Sequence, residues 1–360
     1  LLQVKILLIF MRKKMSPKTL TAIDLFCGAG GLTEGLKQAG FNVLAGVEIN
    51  KIAVETYKLN HPEVQCFDID IKKLSSKEIL ESLNLKVGDL DLLAGCPPCQ
   101  GFSSLRTRNK SISLDDERND LIFEFLRLTE SLMPKCVMLE NVPALAKDER
   151  IEKVISKLKI LGYFIDDTSL QVEDVSDYGV PQRRRRMILK ASRIALLGNT
   201  EKAKEKLTVR KCFEHANLKP VGLSNDCLHD YEQKRSQKVK DIIHFIPKDG
   251  GSRTELPEHL ILDCHKRNPK SFTDVYGRMK WDSVAPTITG GCNSPSKGRF
   301  LHPEEDRCIT LREAALLQTF PKTYKFPKAS QAAIALMIGN ALPPEFIRRQ
   351  AMTLKIHLSI

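Results

Sequence analysis

The residues with the clearest chemical potential stand in "LLAGCPPCQGFS", residues 92–103, where Cys96 and Cys99 flank two prolines. A Cys-x-x-Cys pair has three chemical readings: a redox couple, half of a zinc site, or one nucleophile beside a packing residue. A redox couple normally opens a helix in a small thioredoxin-like unit, whereas here Pro97 and Pro98 remove two donors and the surrounding organisation is far larger. A zinc site needs a second Cys or His pair at ligand spacing, and the ten cysteines offer none. A nucleophilic cysteine on a rigid proline loop is the third reading, with two buried cysteines as its bland counterpart.

Other groups suit the same kind of chemistry. "MLENVPA" (138–144) places Glu140 after an apolar run, where partial desolvation would raise its pKa and suit proton donation. In "YGVPQRRRRMI" (178–188), Gln182, Arg184 and Arg186 share one face if the segment is extended, a geometry for clamping a phosphate or a carbonyl. A plain basic run is the alternative. "DLFCGAGG" (24–31) brings Gly28, Gly30 and Gly31 to the start of a helix, where backbone can approach a ligand closely. It departs from G-x-G-x-x-G, since residue 33 is Thr. Glu48 follows about twenty residues on, the place where an acidic side chain grips ribose hydroxyls. The pair points to an adenosine-containing cofactor. Asp70 in "FDIDIKKL" could reach an adenine, and Asp68 is nearly as good by position.

The elements that must position these groups alternate regularly. Strands are expected at 21–26, 42–48, 90–95 and 136–140, with helices at 31–40 and 119–132. Such alternation implies an α/β fold: a mostly parallel sheet with helices on both faces and ligands at the carboxyl ends of its strands. From about Ala191 the pattern changes to Lys-rich stretches and turn-rich loops, "PKDGGSR" (247–253) and "TITGGCNSPSKGR" (287–299). "TLREAALLQTF" (310–320) carries a capping box, Thr310 with Glu313. A glycine turn and a helix are expected over 338–358. The division is a tail at 1–18, a catalytic and cofactor-binding domain at 19–190 plus 330–360, and a smaller domain at 191–329.

The 360 residues carry 56 Lys and Arg against 44 Asp and Glu, a net charge of +12. That balance favours a polyanionic partner such as nucleic acid, or simply aids solubility. Hydrophobic residues at 42% argue against a disordered chain. The opening "LLQVKILLIF" is too short to span a bilayer, and its basic cluster follows the apolar part, the wrong order for a signal peptide. Dispersed cysteines fit a reduced, cytoplasmic setting with no membrane partner. The chain opens on Leu, and Met11 or Met15 could be the natural start.

"DLFCGAGG", "PPCQGFS", "ENV", "QRRRR", "RCITLRE" and "GNALPP" resemble, in order and spacing, the motifs of the bacterial-type DNA (cytosine-5)-methyltransferases. The resemblance covers roughly residues 20–350 and leaves about 80 residues in the middle unmatched. It implies a Rossmann-like S-adenosylmethionine-dependent methyltransferase sheet with a smaller target-recognition domain. It implies methylation of cytosine carbon 5 within a specific short sequence of double-stranded DNA, with S-adenosylmethionine as donor and no metal. Cys99 would be the nucleophile, leaving Cys96 as a packing residue. Glu140 would be the acid at ring nitrogen 3, Arg184 would contact the base carbonyl, and Gln100 and Arg186 would complete the catalytic set. The donor would lie against Asp24, Phe26, Cys27, Gly28, Gly30, Gly31, Pro98 and the Gly339–Asn340 turn. Glu48 and Ile49 would meet its ribose, Asp70 and Ile71 its adenine. The loop 101–120 would close over DNA, the two turn-rich loops would reach the major groove, and Arg307 and Arg312 would be structural. A monomer is expected, with a restriction endonuclease on another chain. Two rivals stand beside this reading: an RNA cytosine-5 methyltransferase, since one branch of the family works on tRNA, and a catalytically dead DNA-binding homologue.

Overall fold

The computed structural model describes residues 19–98 and 120–359. Its centre is a seven-stranded sheet in the order β3-β2-β1-β4-β5-β7-β6. The strands are β1 Thr21–Leu25, β2 Asn42–Glu48, β3 Gln65–Asp68, β4 Leu92–Gly95, β5 Cys136–Asn141, β6 Leu170–Asp174 and β7 Arg185–Ser192. The first five pair in parallel, as the alternation predicts. The last two depart from it, because β7 runs antiparallel to both β5 and β6. Strands β4 and β5 are buried throughout, so they read as continuous apolar runs. Strand β6, "LQVED", lies at the edge and is only partly covered, which explains its polar composition.

Helices α1 Gly31–Gln38, α2 Lys51–Asn60, α3 Ser76–Ser82, α4 Leu121–Leu132 and α5 Glu149–Ile160 follow the strands. Period-two alternation divides each strand between two cores. Cys136 and Met138 face a core with Leu36, Tyr57 and Phe346. Val137 and Leu139 face the opposite core with Phe125, Leu128 and Val154.

The remainder holds α6 Val209–Ala216, α7 Gln237–Phe245, α8 Asp263–Arg267, α9 Leu311–Leu317, α10 Gln331–Asn340 and α11 Pro344–Leu358. The capping box forms at α9, with the Thr310 side chain accepting from the Glu313 N–H and the Glu313 carboxylate from the Thr310 N–H. Glu313 also pairs with Arg307, while Arg312 pairs with Asp226. Helix α10 shares a third core with α6 and α9, whereas α11 packs into the first.

The expected Gly339–Asn340 turn is instead the last turn of α10. Gly339 is required there by close packing. A Cβ on it would lie 2.2 Å from Gly290 N and from Thr289 C, so the "TITGG" backbone can rest on the helix only against glycine.

The sheet order reverses between β1 and β4, which opens a crevice outside their carboxyl ends. Both the glycine turn after β1 and the Cys-Pro-Pro stretch after β4 are delivered there. Because β7 is antiparallel, its beginning, not its end, reaches the same edge.

Candidate active site

That crevice is a cavity of about 750 Å³. It is lined by Phe26, Cys27, Gly28, Gly31, Glu48, Ile49, Asp70, Ile71, Cys96, Pro98, Glu140, Arg184, Arg186 and Asn340. Most residues expected from the sequence therefore meet in one place. Strand order puts the ends of β2 and β3 on one side, the end of β5 and the beginning of β7 on the other. Cys99 and Gln100 lie outside the described residues, as does nearly all of the expected lid.

On the β2 side, the Glu48 carboxylate accepts from Gly28 N at 3.0 Å and from Ile49 and Asn50 N–H groups at 2.9 and 2.8 Å. It locks the glycine turn to its own strand end while still lining the cavity. Asp70 caps a short 3₁₀ turn by accepting from Lys72 N. Asp68 pairs with Lys51 and does not line the cavity, so of the two aspartates only Asp70 is placed to meet a ligand. Gly30 stands behind the cavity in a left-handed conformation, φ 90°, with no room for a Cβ beside the Tyr324 hydroxyl. That hydroxyl donates to Ala29 O and meets His61, so the turn is propped from the far side.

Asp24 lies beneath the turn, wholly buried, and accepts from the Thr33 hydroxyl at 2.7 Å. Burial lifts its carboxyl from 3.8 to about 7, against the Thr33 bonds that lower it. The unfolded chain thus ionises this group near pH 4 and the folded chain near pH 7. Its contribution to stability falls as pH rises across that window and is level above it. Asp24→Asn is expected to remove this one contribution, so that the variant's Tm gains on the parent's as pH rises from 4 to 7, measured on the ligand-free protein. A difference in Tm between variant and parent that stays constant over that window would contradict the shift.

On the β5 side, Glu140 is 1% exposed. Arg186 Nε lies 2.8 Å from its Oε1, and the Cys96 thiol donates to its Oε2 at 2.7 Å. Burial raises the Glu140 pKa, opposed by Arg186, Cys96 and Arg184. The pairing is diagonal across the sheet, since Glu140 is in register with Ile188, two residues beyond Arg186. Arg184 donates to Ile288 O at 3.0 Å and lines the cavity, while Arg183 and Arg185 point outward. The expected alternation along the arginine run therefore holds for Arg184 and Arg186.

Gln182 corrects that expectation at its near end. It is buried, donating to Leu317 O and Gln318 Oε1 and accepting from Ile288 N. It does not line the cavity. Two further residues escaped the sequence reading. The Asn141 amide donates to Pro97 O at 3.0 Å, fixing the proline stretch to the end of β5. Cys96 packs against the core as expected but also bonds Glu140, a contact between residues 44 apart that local pattern cannot show. Among the described residues, no group of three or more His, Cys, Asp or Glu could hold a metal. No helix among them is long and apolar enough to cross a membrane.

The doubly wound sheet and its switch-point cavity define a Rossmann-like α/β fold. The methyltransferase EhMeth of Entamoeba histolytica shares the fold, with a TM-score of 0.66 at 18% identity, covering 95% of this chain and 99% of that one. The Dnmt2 methyltransferase of S. pombe has a TM-score of 0.59 at 19% identity, covering 95% and 100%. Among sequences, the Type II methylase M.HgiDII of Herpetosiphon aurantiacus is 36% identical over 92% of this chain and 94% of its own. The Type II methyltransferase M1.BsuMI of Bacillus subtilis (strain 168) is 31% identical over 92% and 79%. The sequence model of the C-5 cytosine-specific DNA methylases matches residues 20–355. The chain belongs to that family and is a DNA (cytosine-5-)-methyltransferase.

Proposed function

We propose that the chain methylates carbon 5 of cytosine within a short, specific sequence of double-stranded DNA, by covalent addition of Cys99 to a flipped-out base. The observation that carries this is the buried Glu140 carboxyl, held by Arg186 in the same cavity as the glycine turn and Glu48.

The cavity residues fit S-adenosylmethionine. A Cβ on Gly28 would meet nothing nearer than 4.0 Å, leaving that turn open to a ligand beside Glu48, whereas Asp24 lies buried beneath the turn and does not line the cavity. The glycine turn with Phe26 and Cys27, Pro98 and Asn340 would hold the methionine part, Glu48 and Ile49 the ribose, Asp70 and Ile71 the adenine. When bound, the donor supplies an electrophilic methyl group. Glu48→Ala is expected to weaken its binding at least tenfold, read by calorimetry, as charge-assisted bonds are lost. Unchanged affinity would remove Glu48 from the ribose site.

Carbon 5 of cytosine is a poor nucleophile inside a stacked duplex, so the base must leave the stack. The Cys99 thiolate would add to carbon 6, making the ring enamine-like and carbon 5 able to attack. Glu140 would give a proton to ring nitrogen 3, preventing charge build-up. Arg184 would hold the base carbonyl, with Gln100 and Arg186 completing the pocket. Carbon 5 would then attack the donor's methyl group, breaking its bond to the sulfonium sulfur so that the thioether S-adenosylhomocysteine leaves; a base would take the carbon 5 proton, the thiolate would leave carbon 6, and ring nitrogen 3 would return its proton to Glu140. The excess of basic residues suits the phosphate backbone. We place this catalysis in residues 19–190 with 330–360 and target recognition in 191–329. A monomer working beside a restriction endonuclease on a separate chain completes the proposal.

The test is transfer of tritiated methyl from S-adenosylmethionine to unmethylated genomic DNA and, in parallel, to total tRNA. Label recovered from DNA as 5-methylcytosine supports the reading. Label confined to tRNA would replace the substrate, and no label in either, with the donor still bound, would mean an inactive binding protein.

A further inference from the structure

The Cys96 side chain lines the same cavity but takes no part in the proposed nucleophilic addition. Its position is fixed from both sides. Its own N–H donates to Leu25 O at 3.2 Å, tying it to the end of β1. The next residue, Pro97, is held through its carbonyl by Asn141 on β5. The thiol is thereby aimed at Glu140 Oε2, 2.7 Å away, while Arg186 takes Oε1 at 2.8 Å. All three line the cavity.

We propose that Cys96 is a positioning residue for the acid: its thiol and the Arg186 guanidinium grip the two Glu140 oxygens and set both the tilt of the carboxyl and its readiness to release a proton to the target base. This rests on the reading of Glu140 as the acid at ring nitrogen 3. A donor hydrogen bond stabilises the ionised carboxylate more than the neutral acid. It therefore works against burial, which raises the Glu140 pKa. Without the thiol, Glu140 becomes a weaker acid that keeps its proton to higher pH.

The experiment is single-turnover methyl transfer to DNA as a function of pH, for the parent, Cys96→Ala, Cys96→Ser and Glu140→Gln. The rate should fall at high pH as Glu140 loses its proton. In Cys96→Ala that descending limb is expected to move up by roughly half to one pH unit, with the plateau lowered roughly threefold to tenfold. Cys96→Ser keeps a donor and should return the limb to the parent's position. An unmoved limb in Cys96→Ala, or serine behaving as alanine does, would reduce Cys96 to a packing residue. Should the alanine variant fail to fold, the serine variant carries the test alone: a limb displaced as predicted for donor loss overturns the proposal. Glu140→Gln separates the two claims. If it loses both the rate and the limb while Cys96→Ala matches the parent, only the Cys96 proposal falls. If it transfers methyl as the parent does, the acid assignment falls and takes the proposal with it.

Discussion

Cys99→Ala is expected to lower methyl transfer to double-stranded DNA by roughly four orders of magnitude or more. Without addition at carbon 6, carbon 5 of cytosine keeps its aromatic character and no arrangement of neighbours makes it attack a methyl group. Donor binding should persist, because the donor contacts proposed above come from the ends of β1, β2 and β3, from Pro98 and from α10. Single-turnover transfer of labelled methyl, with donor affinity by calorimetry as the folding control, gives the answer. A rate within tenfold of the parent's would show that no thiolate adds. Cys96→Ala, run beside it, should lose far less, which distinguishes the two cysteines by function.

Glu140→Gln is expected to cost 10²- to 10⁴-fold in rate, the range for removing a positioned general acid. Glutamine matches the carboxyl in shape. Its amide can hydrogen-bond to ring nitrogen 3 but cannot deliver a proton. Because Glu140 is 1% exposed, water cannot easily substitute. Stability is a separate matter: the change leaves Arg186, 2.8 Å from the carboxyl in the parent, without a counter-charge. The Tm should therefore be measured alongside the rate. Parental rate in a folded variant would move proton donation to another group.

The residues of this site were legible in the chain because their motifs are short and local. "DLFCGAGG" and the Glu48 that follows it lie within one strand-helix-strand unit, so spacing along the chain is nearly spacing in the fold. The parallel strands announced themselves through continuous apolar runs, which arise because both faces of such a sheet are covered. The α9 capping box was equally plain, since a cap is satisfied by neighbours in sequence.

What local pattern could not carry were the contacts that join distant segments. Strand β7 reads as a basic run, and only its antiparallel pairing with β5 turns Arg184 and Arg186 into the cavity while Gln182 is spent on bonds to Leu317 and Gln318. Gly339 looked like a turn because glycine usually marks one, but here the Thr289–Gly290 backbone demands it within a helix. By itself the sequence determined the parallel strands β1, β2, β4 and β5, the family and the residue types expected at the site, because periodicity and motif spacing are properties of neighbours along the chain. Tertiary structure alone decided the partners of each charge, among them the Cys96–Glu140–Arg186 contact, because hydrogen bonds and burial depend on which strand ends the fold brings side by side.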